Sequence, residues 1–207
     1  MQAPRSIIAL AVVSLLAGGS ALASAQGGMA GMDHGKQRMG PEIVIPKGVL
    51  YTKADVEFMQ GMIAHHAQAI VMSRMAEANG ANPQVRKLSR KIDQSQVPEI
   101  LIMQQWLRRY NQFAPDTASW HDMRMDGMLT DAELTELSSS KGVAFDRAFL
   151  NGMIKHHAGA LKMVDDLFKS PRAGQEVDAS VFANDVVTAQ TAEIGIMRRL
   201  LTQLPPK

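Results

Sequence analysis

The 207 residues include no cysteine, which excludes disulfide staples, thiolate metal sites and a lipid-modified N-terminal cysteine. The 22 basic and 20 acidic side chains are interspersed rather than blocked, so the formal charge of +2 leaves no electrostatic footprint for nucleic acid. Against 5% aromatic residues stand 15 methionines, which serve either as an adaptable core or as a store of soft metal ligands.

In chain order, Arg5, the apolar run from Ile7 to Ala17 and the small residues of ALASAQ have the layout of a secretory signal peptide. Cleavage after Ala25 predicts an exported protein, periplasmic or secreted. Residues 26–50, with Met29, Met32, His34 and Met39, show no helical period and read as a flexible Met/Gly-rich leader. Residues 51–207 carry the helices. Thr52 caps the first, which Asn79 and Gly80 end; Asn82 and Pro83 open a second that reaches about Asn111. Pro98 predicts a kink in it that frees the Gln94 carbonyl. A connector occupies 113–142, and within it Thr130 to Glu133 is a capping box for a short helix that Gly142 should end. The third long helix runs from about Ala144–Asp146 to Phe168, and the fourth from Asp178 to Leu204 before Pro205 and Pro206. No segment alternates with period two. The fold is therefore all-α, with two helical hairpins joined by a long crossover.

The hairpins repeat one another. GMIAHHAQAIVM at 61–72 returns as GMIKHHAGALKM at 152–163, 91 residues on, and Asp55 and Phe58 return as Asp146 and Phe149. In the partner helices Gln96, Glu99 and Met103 return as Gln190, Glu193 and Met197, 94 residues on. Helical phase says where these groups point. Phe58, Met62, His65, Ala69 and Met72 step by fours and threes, as do Phe149, Met153, His156, Ala160 and Met163, so His65 and His156 face the interior. His66 and His157 lie about 100° further round, in the next seam beside Ile63 and Ile154 or at the rim, and adjacent histidines are ill placed to chelate one ion. Each hairpin can thus assemble a His, a Glu, a Gln and several Met. An ordinary polar core would look similar, with Glu99 and Glu193 merely satisfying His65 and His156 as buried partners.

The connector tips the balance toward metal. WHDMRMDGM at 120–128 places His121, Met123, Met125 and Met128 in a loop, and loops have no core to fill. Thioethers suit Cu(I) and imidazoles suit either copper oxidation state, so Cu(I) is the first expectation and Cu(II) the second, with silver following Cu(I). Methionine is a poor zinc ligand, and the histidines lack the spacing of a closed four-ligand site.

The HH helices, the Q-x-x-E-I helices and the GML-T-x-x-E-L joint before the second HH closely resemble the domain-of-unknown-function 305 (DUF305) family over about Lys53 to Leu204. The family includes exported copper-binding proteins of the CopM type. The resemblance implies a ferritin-like, up-down four-helix bundle that contributes to copper tolerance. It also implies binding through Met62, His65, His66, Met72 and Met103 and their counterparts Met153, His156, His157, Met163 and Met197. Ferritin-like di-iron enzymes use Glu-x-x-His helices, whereas this chain has Gln-x-x-Glu and His-His, so an exported copper chaperone or buffer, not an enzyme, is expected. Its partners would be metal ions and other exported copper-handling proteins. A metal-dependent oxidase at the bundle core and a metal-free helical interaction module are the alternatives.

Overall fold

The computed structural model describes residues 40–206; the signal-peptide expectation and Met29, Met32, His34 and Met39 lie outside the described residues. The described residues are all-α, without a strand, and comprise α1 (Lys53–Ala78), α2 (Pro83–Arg109), α3 (Asp131–Ser139), α4 (Gly142–Lys169) and α5 (Val177–Gln203), with a 3-10 turn at Thr117–Asp122. None of these helices is long and apolar enough to cross a membrane.

Local chemistry sets the ends. Thr52 and Asp55 form a reciprocal capping box at α1, and Asn82 Oδ1 accepts from the Gln84 and Val85 amides at α2. Two boundaries differ from expectation. Gly142 does not end α3 but begins α4: in the left-handed region, it donates its amide to the Asn79 carbonyl at 2.9 Å and lets the chain reverse in three residues. The cap of α5 is Glu176, whose carboxylate takes the Ala179 amide at 2.9 Å and also the Trp106 indole N–H at 2.7 Å. α2 continues through Pro98, where Pro98 and Gln94 are both exposed and water can serve the carbonyl left unbonded.

The principal contacts of the long helices run in the cyclic order α1, α2, α5, α4. Reciprocal struts tie the hairpins together. Asp55 in α1 accepts the Gly174 amide from the α4–α5 loop at 2.7 Å, while Asp146 in α4 accepts the Asn82 amide and side-chain amide from the α1–α2 loop at 3.0 and 2.8 Å. These carboxylates are almost fully buried, so each strut is a charge-assisted bond in a low-dielectric setting. Along α4 the core changes at the histidines: Phe145, Phe149 and Met153 belong to one apolar cluster, and Ala160, Val164 and Leu167 to the other.

The connector is part of the core, which corrects the loop argument. Trp120, Met123 and Met128 are buried in the same cluster as Met62 and Trp106, because this segment lies against α1. Glutamines hold its backbone: Gln68 Nε2 donates to the Leu129 carbonyl at 3.0 Å, the Leu129 amide returns to Gln68 Oε1 at 2.7 Å, and Gln60 Nε2 donates to the Phe113 carbonyl at 2.8 Å.

Candidate metal centre

Burial of four imidazoles is the central fact. His65, His66, His156 and His157 are each 0% exposed, so the second histidine of each pair occupies an interior seam and not the rim. The rings of His65 and His156 meet across the α1–α4 crossing with centroids 3.8 Å apart, closer than the 6.2 Å between the neighbours His156 and His157. Adjacent residues diverge around a helix, whereas the crossing brings equivalent residues of two helices together.

The partners fix which ring nitrogen carries hydrogen. A carbonyl or carboxylate can only accept, so His65 Nε2–H donates to the Asp126 carbonyl at 3.1 Å, His66 Nε2–H to Glu99 at 2.7 Å and His157 Nε2–H to Glu193 at 2.9 Å. The pairing that an ordinary polar core would have used, Glu99 with His65 and Glu193 with His156, is therefore not the one formed. The carboxylate helices lie on the flanks that carry the second histidine of each pair, leaving the first to face the opposite hairpin.

Nitrogens are left over. His65, His66 and His157 each keep an unpartnered, buried Nδ1, and His156 has no partner on either nitrogen; Gln96 Oε1 and Gln190 Oε1 are likewise unpartnered. Burial, then the nearby His66, lowers the His65 pKa to about 3; burial, then the facing His65, pushes His156 well below its ordinary range. Neutral imidazoles keep a lone pair for a ligand. Glu193 shows the opposite balance. Its burial favours the acid form, but the bond from His157 and the Lys91 ammonium at 3.3 Å outweigh this and hold the carboxyl below its usual range. Glu99 retains 26% side-chain exposure against 4% for Glu193, so the two His–Glu pairs are not equivalent.

The methionines divide by depth. Met62 and Met103 are fully buried in one apolar cluster, while Met72, Met153 and Met197 are fully buried in the other. Met163 and Met125 are half-buried. His121 is exposed and stacks on Trp120 with centroids 3.7 Å apart, away from the four interior imidazoles. Among the described residues no three His, Asp or Glu side chains converge as a metal group, so a site here would draw on thioethers or on paired imidazoles. The Asp126 carbonyl, the unpartnered glutamine oxygens and the contacts at Gly61, Gly152 and Gly159 were not read from sequence. The glutamines and two of the glycines left a signal, since Gln96 and Gln190, like Gly61 and Gly152, recur in both copies, but what they meet did not.

The sequence matches the family described as "Domain of unknown function (DUF305)" over residues 55–201. A DUF305 fragment from Deinococcus radiodurans is similar in structure, with TM-score 0.66, 30% identity, 74% of this chain and 99% of that one covered. A DUF305 protein from Streptomyces coelicolor, described as secreted, gives TM-score 0.63 at 29% identity over 72% and 93% of the two chains. CopM, solved in Cu(I)-, Cu(II)- and Ag-bound forms, is also similar; its Cu(I) form gives TM-score 0.58 at 28% identity over 72% of this chain and 96% of that one. No curated protein matches the chain.

Proposed function

Because the chain belongs to the DUF305 family, we propose that it is an exported copper-binding protein that buffers or chaperones the ion and so contributes to copper tolerance. The similar protein CopM has been solved with Cu(I), Cu(II) and Ag bound, and copper is the cargo in this reading. The observation that carries it is the set of unpartnered nitrogens on His65, His66, His156 and His157 in a fully buried setting, where leaving a polar atom unmatched costs about 1–3 kcal/mol. Bound copper would take those lone pairs.

The residues fit a soft ion. Nδ1 of His66 and His157 would bind while Glu99 and Glu193 hold the opposite N–H, which orients each ring and makes it a stronger donor. The carboxylates also offset the charge of a buried cation. Thioethers of the methionine stripes would favour Cu(I), with Cu(II) second. In this reading no bond of a substrate is made or broken: Glu99 and Glu193 are each bonded to one histidine, and among the described residues no three His, Asp or Glu side chains gather as oxidase chemistry would want. The long helices read as a ferritin-like, up-down bundle with α3 and the 3-10 turn on the crossover. Metal ions and other exported copper-handling proteins, in the periplasm or outside the cell, are its partners.

The test is competition for Cu(I) between residues 26–207 and a chromogenic chelator. Wild type should hold Cu(I), and a His65→Ala, His156→Ala variant that keeps its helical circular dichroism should bind at least about tenfold more weakly. Wild-type protein that never takes Cu(I) from the chelator would overturn the reading.

A further inference from the structure

The two ends of the α1–α4 crossing differ chemically although their helices carry the same pattern. Each end has a glycine whose missing side chain is filled by others. A Cβ on Gly61 would overlap the Met125 methyl, with Met125 Sδ at 3.3 Å and Met163 Cε at 3.4 Å. On Gly152, the equivalent position, it would meet Leu129 Cδ2 at 3.2 Å and Met72 Cε at 3.5 Å. Met72 and Met163 are the pattern's own methionines. The second group at each end comes from the connector, which crosses the pair asymmetrically: Met125 delivers a thioether to one end and Leu129 an isobutyl group to the other. Exposure differs in the same sense, since Met125 and Met163 are half-buried whereas Met72 and Leu129 are 0% and 3% exposed. Met125 also sits beside Asp126, whose carbonyl holds His65, and His65 lies one helical turn along α1 from Gly61.

Resting on the copper-binding reading, we propose that Met125 and Met163 form a single soft-ion acquisition site over Gly61, which takes Cu(I) or Ag(I) from solvent and passes it inward to the buried imidazole of His65. The Gly152 end, where Leu129 replaces the thioether, takes no ion. Thioethers suit this role because they are uncharged and polarizable, discriminate against hard cations and stay protonation-independent. Half-burial makes the pair reachable, while the glycine leaves room for both methionines against the α1 backbone. The internal repeat thus contains one acquisition site, and the choice is made outside the repeat.

The experiment counts Ag(I) by native mass spectrometry and measures Cu(I) affinity by chelator competition on residues 26–207. Variants are Met125→Leu, Met163→Leu and Leu129→Met, all close in volume to the wild type. The two methionine-to-leucine variants should each hold about one ion fewer per chain and lose sulfur scattering in the copper X-ray absorption edge. Leu129→Met should gain about one ion. Unchanged stoichiometry and affinity in Met125→Leu and Met163→Leu would overturn the proposal, and so would a Leu129→Met variant without added capacity. Both outcomes are distinct from failure of wild type to bind copper, which would sink the copper-binding reading itself.

Discussion

At the residue scale, the buried imidazoles make stability depend on acidity. The unfolded chain takes up a proton on His65 near pH 6.5, whereas the folded chain resists it down to about pH 3, and burial beside His65 also holds His156 well below its ordinary range. Acid therefore favours the unfolded state. The contribution is intact above the unfolded value and is lost as pH falls through this window, with a slope of up to about 1.4 kcal/mol per pH unit for each histidine. Urea titrations of metal-free protein should show the midpoint falling steadily from pH 7 to pH 4. A His65→Gln, His156→Gln variant should flatten that dependence; an unchanged slope would mean the two rings titrate freely. Helical phase was enough to place both rings inside, because a stripe of Phe, Met and Ala leaves a histidine on the same face nowhere else to go. It did not say that Glu99 would choose His66, since that choice depends on which flank of α1 receives α2.

Elements show where the connector does its work. Gly159 stands where its counterpart in the first copy is Gln68, and the two act together: Gln68 grips the Leu129 backbone, and Gly159 lets the Asp126–Gly127 backbone lie against α4. A Cβ at Gly159 would run into the Asp126 carbonyl and come within 2.7 Å of Gly127 Cα, and backbone cannot yield as a side chain can. Gly159→Ala should therefore destabilise the protein by about 1–3 kcal/mol and speed amide exchange at Leu129. Gly195→Ala is the contrast. Its Cβ would meet only Arg199 Nη1 at 3.7 Å, so alanine's better helix propensity should raise stability by about 0.5–1 kcal/mol. Denaturant midpoints of opposite sign for the same chemical change would separate connector packing from helix propensity.

For the whole molecule, a ligand that binds only the folded state stabilises it by mass action. At a free concentration of about a hundred times its dissociation constant, Ag(I) should add about 2.7 kcal/mol, which for a chain of this size is a melting-point rise of about 5–10 °C. Differential scanning calorimetry with and without silver checks this. A flat melting temperature beside proven binding would mean that the ion binds folded and unfolded chain alike, and would place it outside the buried imidazoles.

By itself the sequence determined the all-α class, the ends of most helices, the two copies of the His-His motif and the inward face of His65 and His156. Each follows from information local to a helix: caps, a 3.6-residue period and the identity of two copies. Tertiary structure decided the rest. It paired Glu99 and Glu193 with the second histidines, turned connector methionines from free loop residues into core at Met123 and Met128, and set Met125 opposite Leu129 at the two ends of one crossing. The reason is physical: helical phase fixes the direction of a side chain about its own axis, whereas the group it meets depends on how neighbouring helices and the crossover pack against that axis.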